Sequence, residues 1–282
     1  MKRHFDLESD VSFYHVVIKV PDNTFGNKAY AFNREHKTKL RDIFFWLESI
    51  YEVECVNYCI MSTHAHFVIR RNRDSKLSLK QAAYRYKKYK SLKELKDARS
   101  CEIRKFKGRL NDLSDFMANL QKRFTSWYNQ QFDKRRRGQL FNHCYKAIQL
   151  KNTKALIRCM QYVELNPLRA QMVNNSADYE YNSWSEIKRK TARGMSIKRT
   201  VINALRAFGI AGKSNKKVFD TYAQELLMIS KEGSKEIINT HLKYLLMKQN
   251  SIWSSGRSIC FLDHEIILEK ENSSQIINED FW

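Results

Sequence analysis

"MSTHAHFVIR", Met61 to Arg70, reads as a β-strand that carries two histidines one residue apart. Successive side chains on a strand point to opposite faces, so His64 and His66 share one face while Ala65 and Phe67 take the other. The imidazole pair can therefore chelate one cation, although two sheet histidines bonded to their neighbours give the same pattern. Working outward, "ECVNYCIMS" precedes this strand with little between them, and it reads as a second strand. "FYHVVIKV", Phe13 to Val20, is a β-branched run closed by Pro21-Asp22-Asn23, which predicts an earlier strand and a turn. Between the two lies "KTKLRDIFFWLESIYEV", with Leu40, Ile43, Phe44, Leu47 and Ile50 at helical spacing. The order β-α-β-β predicts an α+β fold: a small, mostly antiparallel sheet with helices packed on one face.

Further along, "RLNDLSDFMANLQKRFTSWYNQQF" places Leu110, Leu113, Met117, Leu120, Phe124 and Trp127 on one stripe and predicts a long core-facing helix. "KRRRGQLFNHCYKAIQL" follows as a basic turn and a strand. A further helix is expected from Asn152, an N-cap residue, to Asn166, because Pro167 restricts the residue before it and should end or kink the helix there. The segment from Arg73 to about Gly108 contains "KLSLKQAAYRYKKYKSLKELK" and reads as a basic helix, either a solvated face or an arm that contacts nucleic acid. Apolar periodicity from about residue 195 predicts a helical C-terminal module, residues 195–282, after a first domain spanning residues 1–190.

Lys and Arg number 51 against 30 Asp and Glu, a net charge of +21, which suits phosphate backbones. No apolar run approaches the roughly 18 residues of a membrane-spanning helix, and the N-terminus lacks the apolar core of a signal peptide. The expectation is a soluble cytoplasmic protein. Six cysteines form neither a C-x-x-C pair nor zinc-finger spacing, and they sit mostly in apolar segments, so reduced, buried thiols are expected. The chain has no P-loop and no glycine-rich dinucleotide loop, so no nucleotide cofactor is expected.

A second chemical signal lies in "QYVELNPLRA", Gln161 to Ala170. Tyr162 and Asn166 are four apart and share a helix face, which extends to Arg158 and Arg169, while Leu156, Met160 and Val163 take the core side. A phenol between two guanidinium groups is poorly explained by packing, although a tyrosine at a helix edge is common. Tyr128, next to Asn129, is a rival nucleophile by residue type. It falls at the edge of the Leu113-to-Trp127 stripe, where packing explains it.

"YCIMSTHAHFVI", "YNQQFDKRRRGQLF" and "QYVELNPLRAQMV", in that order, resemble the Y1 transposases of the HUH superfamily, in particular the branch associated with repetitive extragenic palindromes. The resemblance covers roughly Phe13 to Trp184. Ser62 stands where the family has a proline, and the segment from about Arg73 to Gly108 looks like an insertion. The resemblance implies an HUH, ferredoxin-like core and cleavage and joining of single-stranded or hairpin DNA through a tyrosine nucleophile. By position it makes Tyr162 the nucleophile, His64 and His66 metal ligands, and Asn166 the third ligand or a positioning residue, around Mg²⁺ or Mn²⁺. Ligand softness alone equally admits Zn²⁺ or Ni²⁺.

A phenol ionises near pH 10, so it needs a neighbouring positive charge to act as a nucleophile at neutral pH. For DNA contacts the candidates are Lys134, Arg135, Arg136 and Arg137 of the "KRRR" turn, Lys146, Arg158 and Arg169, with the tyrosines of "YRYKKYK" placed to stack on unpaired bases. A monomer, or a homodimer exchanging the Tyr162 helix, fits the sequence equally. A binding module that no longer cuts and a nuclease using water are the competing readings.

Overall fold

A computed structural model describes residues 10–21, 32–74, 76–94, 99–132, 137–141, 144–207 and 214–232. Lys134, Arg135 and Arg136, Cys260 and the apolar-periodic stretch 234–249 lie outside them. Residues through Ser230 form one compact unit, and the second unit, Lys231–Trp282, falls almost wholly outside the described residues.

The strands β1 (Val11–Lys19), β2 (Val53–Ile60), β3 (His64–Asn72) and β4 (Lys146–Gln149) form one antiparallel sheet in the order β2-β3-β1-β4. The helices are α1 (Arg34–Glu48), α2 (Leu79–Lys90), α3 (Ser100–Lys107), α4 (Leu113–Asn129), α5 (Thr153–Arg169), α6 (Ser183–Lys188), α7 (Ala192–Ala207) and α8 (Asn215–Glu232). With α2 and α3 set aside, β1 to β4 follow the split β-α-β pattern, α1 and α4 being its two crossover helices. The expected α+β class is the one found.

β1 is buried along nearly its whole length instead of at alternate positions, which requires cover on both faces. On one face Phe44 of α1 lies flat on Phe67 of β3, with centroids 4.3 Å apart, and Phe116 of α4 meets Phe44 edge-on at 5.3 Å. The other face carries His66 and Asn57 and is covered by α5, whose Met160 carbonyl accepts a hydrogen bond from Asn57 Nδ2 at 2.8 Å. The expectation of helices on one face therefore holds for α1 and α4 and fails for α5. The β-α-β-β order constrains only crossover helices, whereas α5 follows the last strand.

A β-bulge between Cys55 and Asn57 makes this second contact. Cys55 pairs with Ile69 and Asn57 with Val68, so the extra residue flips the alternation and turns Asn57 toward α5. Glu48, the last residue of α1, closes the bulge by accepting the Cys55 N–H at 2.6 Å.

α5 starts as expected, with Asn152 Oδ1 capping the Ala155 N–H at 2.8 Å. It does not stop at Asn166. The helix runs through Pro167 to Arg169, and Ala170 N–H and Met172 N–H still reach the carbonyls of Asn166 and Pro167, each at 3.0 Å. Proline deletes one donor only, and burial of Leu165, Asn166 and Pro167 holds the last turn.

The Arg73-to-Gly108 segment folds as α2 and α3 packed on each other, with Tyr86 and Phe106 edge-on at 5.2 Å. Tyr86 is buried and Tyr89 donates to Asn119 Oδ1 at 2.6 Å, so of the α2 tyrosines only Tyr84 is exposed. The expected stacking array is thereby reduced to one ring, because helical periodicity turns the other two inward. Among the described cysteines none forms a disulfide; Cys55 and Cys59 are buried, but Cys101 and Cys144 are exposed, contrary to expectation. Neither lies on an element's core-facing side.

α7 belongs to the compact unit ending at Ser230. It approaches α6 so closely that a Cβ at Gly194 would collide with the Glu186 carbonyl. Glu186, itself buried, accepts from Arg193 at 2.9 Å and faces Arg41 at 3.5 Å, and these guanidinium groups, with the Thr191 hydroxyl, hold its carboxyl below the usual range despite burial. Among the described residues no helix is long and apolar enough to cross a membrane.

Candidate active site

The sheet register lays out the site. His66 pairs with Val17, which pairs on its other side with Lys146, while His15 pairs with Val68 one row along. His15 and His66 are thus diagonal neighbours on adjacent strands, a spacing that ring side chains bridge. Nε2 of His15 lies 3.0 Å from Nδ1 of His66, with the rings stacked at 5.2 Å and 19°. His66 is fully buried and His15 is 9 % exposed. Burial holds His15 down at about 4 and His66 well below the ordinary histidine range, so both are neutral at pH 7.

His64, on the same side as His66, stands with its ring 4.9 Å away at 85°, and its Nδ1 is engaged by Thr63 Oγ1 at 3.1 Å. The turn that delivers it is pinned from several sides. Met61 N–H donates to the His64 carbonyl at 2.8 Å and Val20 N–H to the Thr63 carbonyl at 2.9 Å. Beneath it a buried lysine, Lys37, donates to Tyr179 Oη at 3.0 Å and to Ser62 Oγ at 3.4 Å, and Tyr179 in turn donates to the Ile60 carbonyl. Hydrogen bonds thus fix the turn that proline's fixed φ would otherwise stiffen.

From the facing helix α5, Tyr162 meets both imidazoles edge-on: centroids lie 5.4 Å from His66 and 5.9 Å from His15, each at 81°. The guanidinium of Arg169 sits over the phenol ring, 5.1 Å from its centroid. Asn166 is buried, and its Nδ2 donates back to the Tyr162 carbonyl at 3.2 Å, which leaves Oδ1 as the oxygen it offers a ligand. Arg158 is half-buried on α5. All these groups come from one chain.

What fixes the height of α5 over the sheet is a buried carboxyl. Glu164, 1 % exposed, accepts from Asn57 Nδ2 at 3.3 Å and from the Trp184 N–H at 2.9 Å, at the N-terminus of α6, where a carboxylate is favoured. Burial outweighs these bonds and pushes Glu164 up to about 8. Tyr162 is two residues away on the same helix and inherits that position.

Tyr128 belongs elsewhere. It is buried on α4, across the sheet from α5, against His36 at 4.8 Å and Phe132 at 5.4 Å. Lys146 is exposed at the start of β4 in the same row as His66, two strands over and hence about 10 Å away. Arg137 is exposed as well.

Sequence reasoning passed over His15, Thr63, Lys37 and Glu164. For His15 the signal was a lone polar ring in an otherwise β-branched run. Its partner depends on strand register, which the sequence does not display.

Among the described residues no three His, Cys, Asp or Glu side chains are grouped as metal ligands, so a cation here would rest on two imidazoles and an oxygen of another kind. The donor set fits one. Both Nδ1 atoms are engaged, which leaves Nε2 as the coordinating nitrogen of each ring, and Nε2 of His66 is buried with no hydrogen-bond partner among the described residues.

No family model matches the chain, and no curated protein matches it. Among solved structures, the chain is similar to a REP-associated tyrosine transposase bound to a REP hairpin, with a TM-score of 0.44 and 11% identity over 67% of this chain and 87% of that one.

Proposed function

We propose that the chain cleaves and rejoins single-stranded DNA, at hairpin or palindromic sites, through a covalent link to Tyr162. The observation that carries this reading is the meeting, within one chain, of a phenol on α5 with the imidazole face of the sheet, under a guanidinium. Tyr162 also packs, half-buried, against the core, but packing alone does not call for a phenol between two imidazoles and a guanidinium in a strongly basic chain.

Arg169 favours negative charge on the phenol oxygen, and α5, held through Glu164 and Asn57, keeps that oxygen from drifting. Tyr162 Oη gives up its proton to solvent and attacks a backbone phosphorus; the Oη–P bond forms, the P–O3′ bond breaks, and the departing 3′-oxygen takes up a proton from solvent, so the step is proton-neutral. The products are a 5′-phosphotyrosine and a free 3′-hydroxyl. Because one phosphate diester replaces another, a 3′-hydroxyl can reverse the step and join strands without a nucleotide cofactor. His64 and His66, with Asn166, are the residues that would hold Mg²⁺ or Mn²⁺, which supplies Lewis acidity at a non-bridging phosphate oxygen when bound. Lys146 and Arg137, both exposed, and Arg158 on α5 supply positive charge for flanking phosphates.

The test is capture of a denaturation-resistant protein–DNA adduct with Mn²⁺ and a hairpin oligonucleotide, lost in Tyr162→Phe.

A further inference from the structure

His15 has no place in the reading above, yet it makes a close, buried polar contact with one of the two imidazoles. His15 Nε2 and His66 Nδ1 lie 3.0 Å apart, close enough to share a single proton, so one donates and the other accepts. Two arrangements exist. If His15 donates, His66 carries its proton on Nε2, and that N–H is buried with no acceptor among the described residues. If His66 donates from Nδ1, its Nε2 instead presents a lone pair, the form in which imidazole binds a cation.

We propose that His15 is a positioning residue: it accepts the Nδ1–H of His66, fixes that tautomer and ring orientation, and so directs the Nε2 lone pair toward the cation beside Tyr162. The inference rests on the reading of His66 as a metal ligand. It places on β1 the outer partner that ligating histidines usually find in a carboxylate or a carbonyl. His15 is not itself a ligand in this arrangement, because its Nε2 is the acceptor.

Two measurements on the full-length chain test it. Long-range ¹H–¹⁵N correlation of the imidazole nitrogens in metal-free wild type reads the tautomer directly, and the expected result is His66 protonated at Nδ1. Mn²⁺ titration followed calorimetrically should then show His15→Phe binding roughly 10–100-fold more weakly than wild type. His15→Gln, whose side-chain oxygen can accept the same bond, should recover most of the loss. An Nε2–H tautomer in the wild type overturns the proposal without any variant having to fold. So does Mn²⁺ affinity in His15→Phe within about twofold of wild type. A wild type that binds no Mn²⁺ removes the cation itself, and the proposal with it; that result is distinguishable because no variant is needed to see it.

Discussion

The ring of Tyr162 stands edge-on to the ring of His66, 5.4 Å between centroids, although one is borne by a helix and the other by a central strand. Their meeting depends on α5 crossing the sheet face that α1 and α4 leave open. A bulge, a buried asparagine and a buried glutamate hold that crossing.

Asn57 is the sheet's half of the clamp. Asn57→Ala removes both of its bonds to α5 and should lower the free energy of urea unfolding by about 1–3 kcal/mol. Asn57→Asp should cost more at pH 9 than at pH 6, because it sets a second carboxyl beside Glu164. An unchanged urea midpoint in Asn57→Ala would mean that α5 is held by other contacts.

Gly194 tests the seating of α7 on α6. An added methyl meets the backbone at Glu186, which cannot swing aside as a flexible side chain would. Gly194→Ala should therefore destabilise by about 1–3 kcal/mol or more, even though alanine is the better helix former. A raised melting temperature would show that the two helices are not in contact.

Glu48 gives a pH signature. Its carboxyl is pushed from 4.5 up to about 7, chiefly by burial, with the nearby Glu54 charge adding, against the Cys55 N–H bond and the Arg193 charge. The native state thus holds this proton more tightly than the unfolded chain. The contribution to stability is whole below pH 4.5 and is lost as pH rises through about 7. Urea midpoints measured at pH 5 and pH 7.5 should fall more for wild type than for Glu48→Gln. Equal slopes would contradict the assignment.

Arg169 acts on the phenol if the proposed chemistry holds. Arg169→Ala, which removes the guanidinium over the phenol ring, should slow adduct formation by tenfold or more at saturating hairpin. Arg169→Lys should retain more of the rate. A rate that recovers fully at saturating hairpin would assign Arg169 to DNA binding instead, where the variant should flatten the salt dependence of hairpin affinity.

The fold was legible wherever side-chain period alone decides. The stripe from Leu113 to Phe124 and the runs around Val16 and Phe67 declared a helix and two strands, and Asn152 marked the start of α5 to the residue. Pro167 does not end the helix, because local backbone preference yields where Leu165, Asn166 and the proline itself are buried. The facing of α5 was not legible, since no local pattern states which side of a sheet a late helix covers. Likewise Tyr162, His64 and His66 could be picked out by residue type and spacing, whereas His15 and Glu164 owe their positions to register and a bulge. Both are long-range facts.

The most direct measurement follows covalent capture. Protein, Mn²⁺ and a single-stranded hairpin oligonucleotide labelled at its 3′ end should yield a band that survives SDS, while a 5′-end label is released on a fragment ending in a 3′-hydroxyl. Tyr162→Phe should abolish the band and Tyr128→Phe should keep it. Tight hairpin binding with no adduct under any divalent metal, cleavage without a protein-linked product, or an adduct that disappears with Tyr128 instead of Tyr162 would each contradict the account.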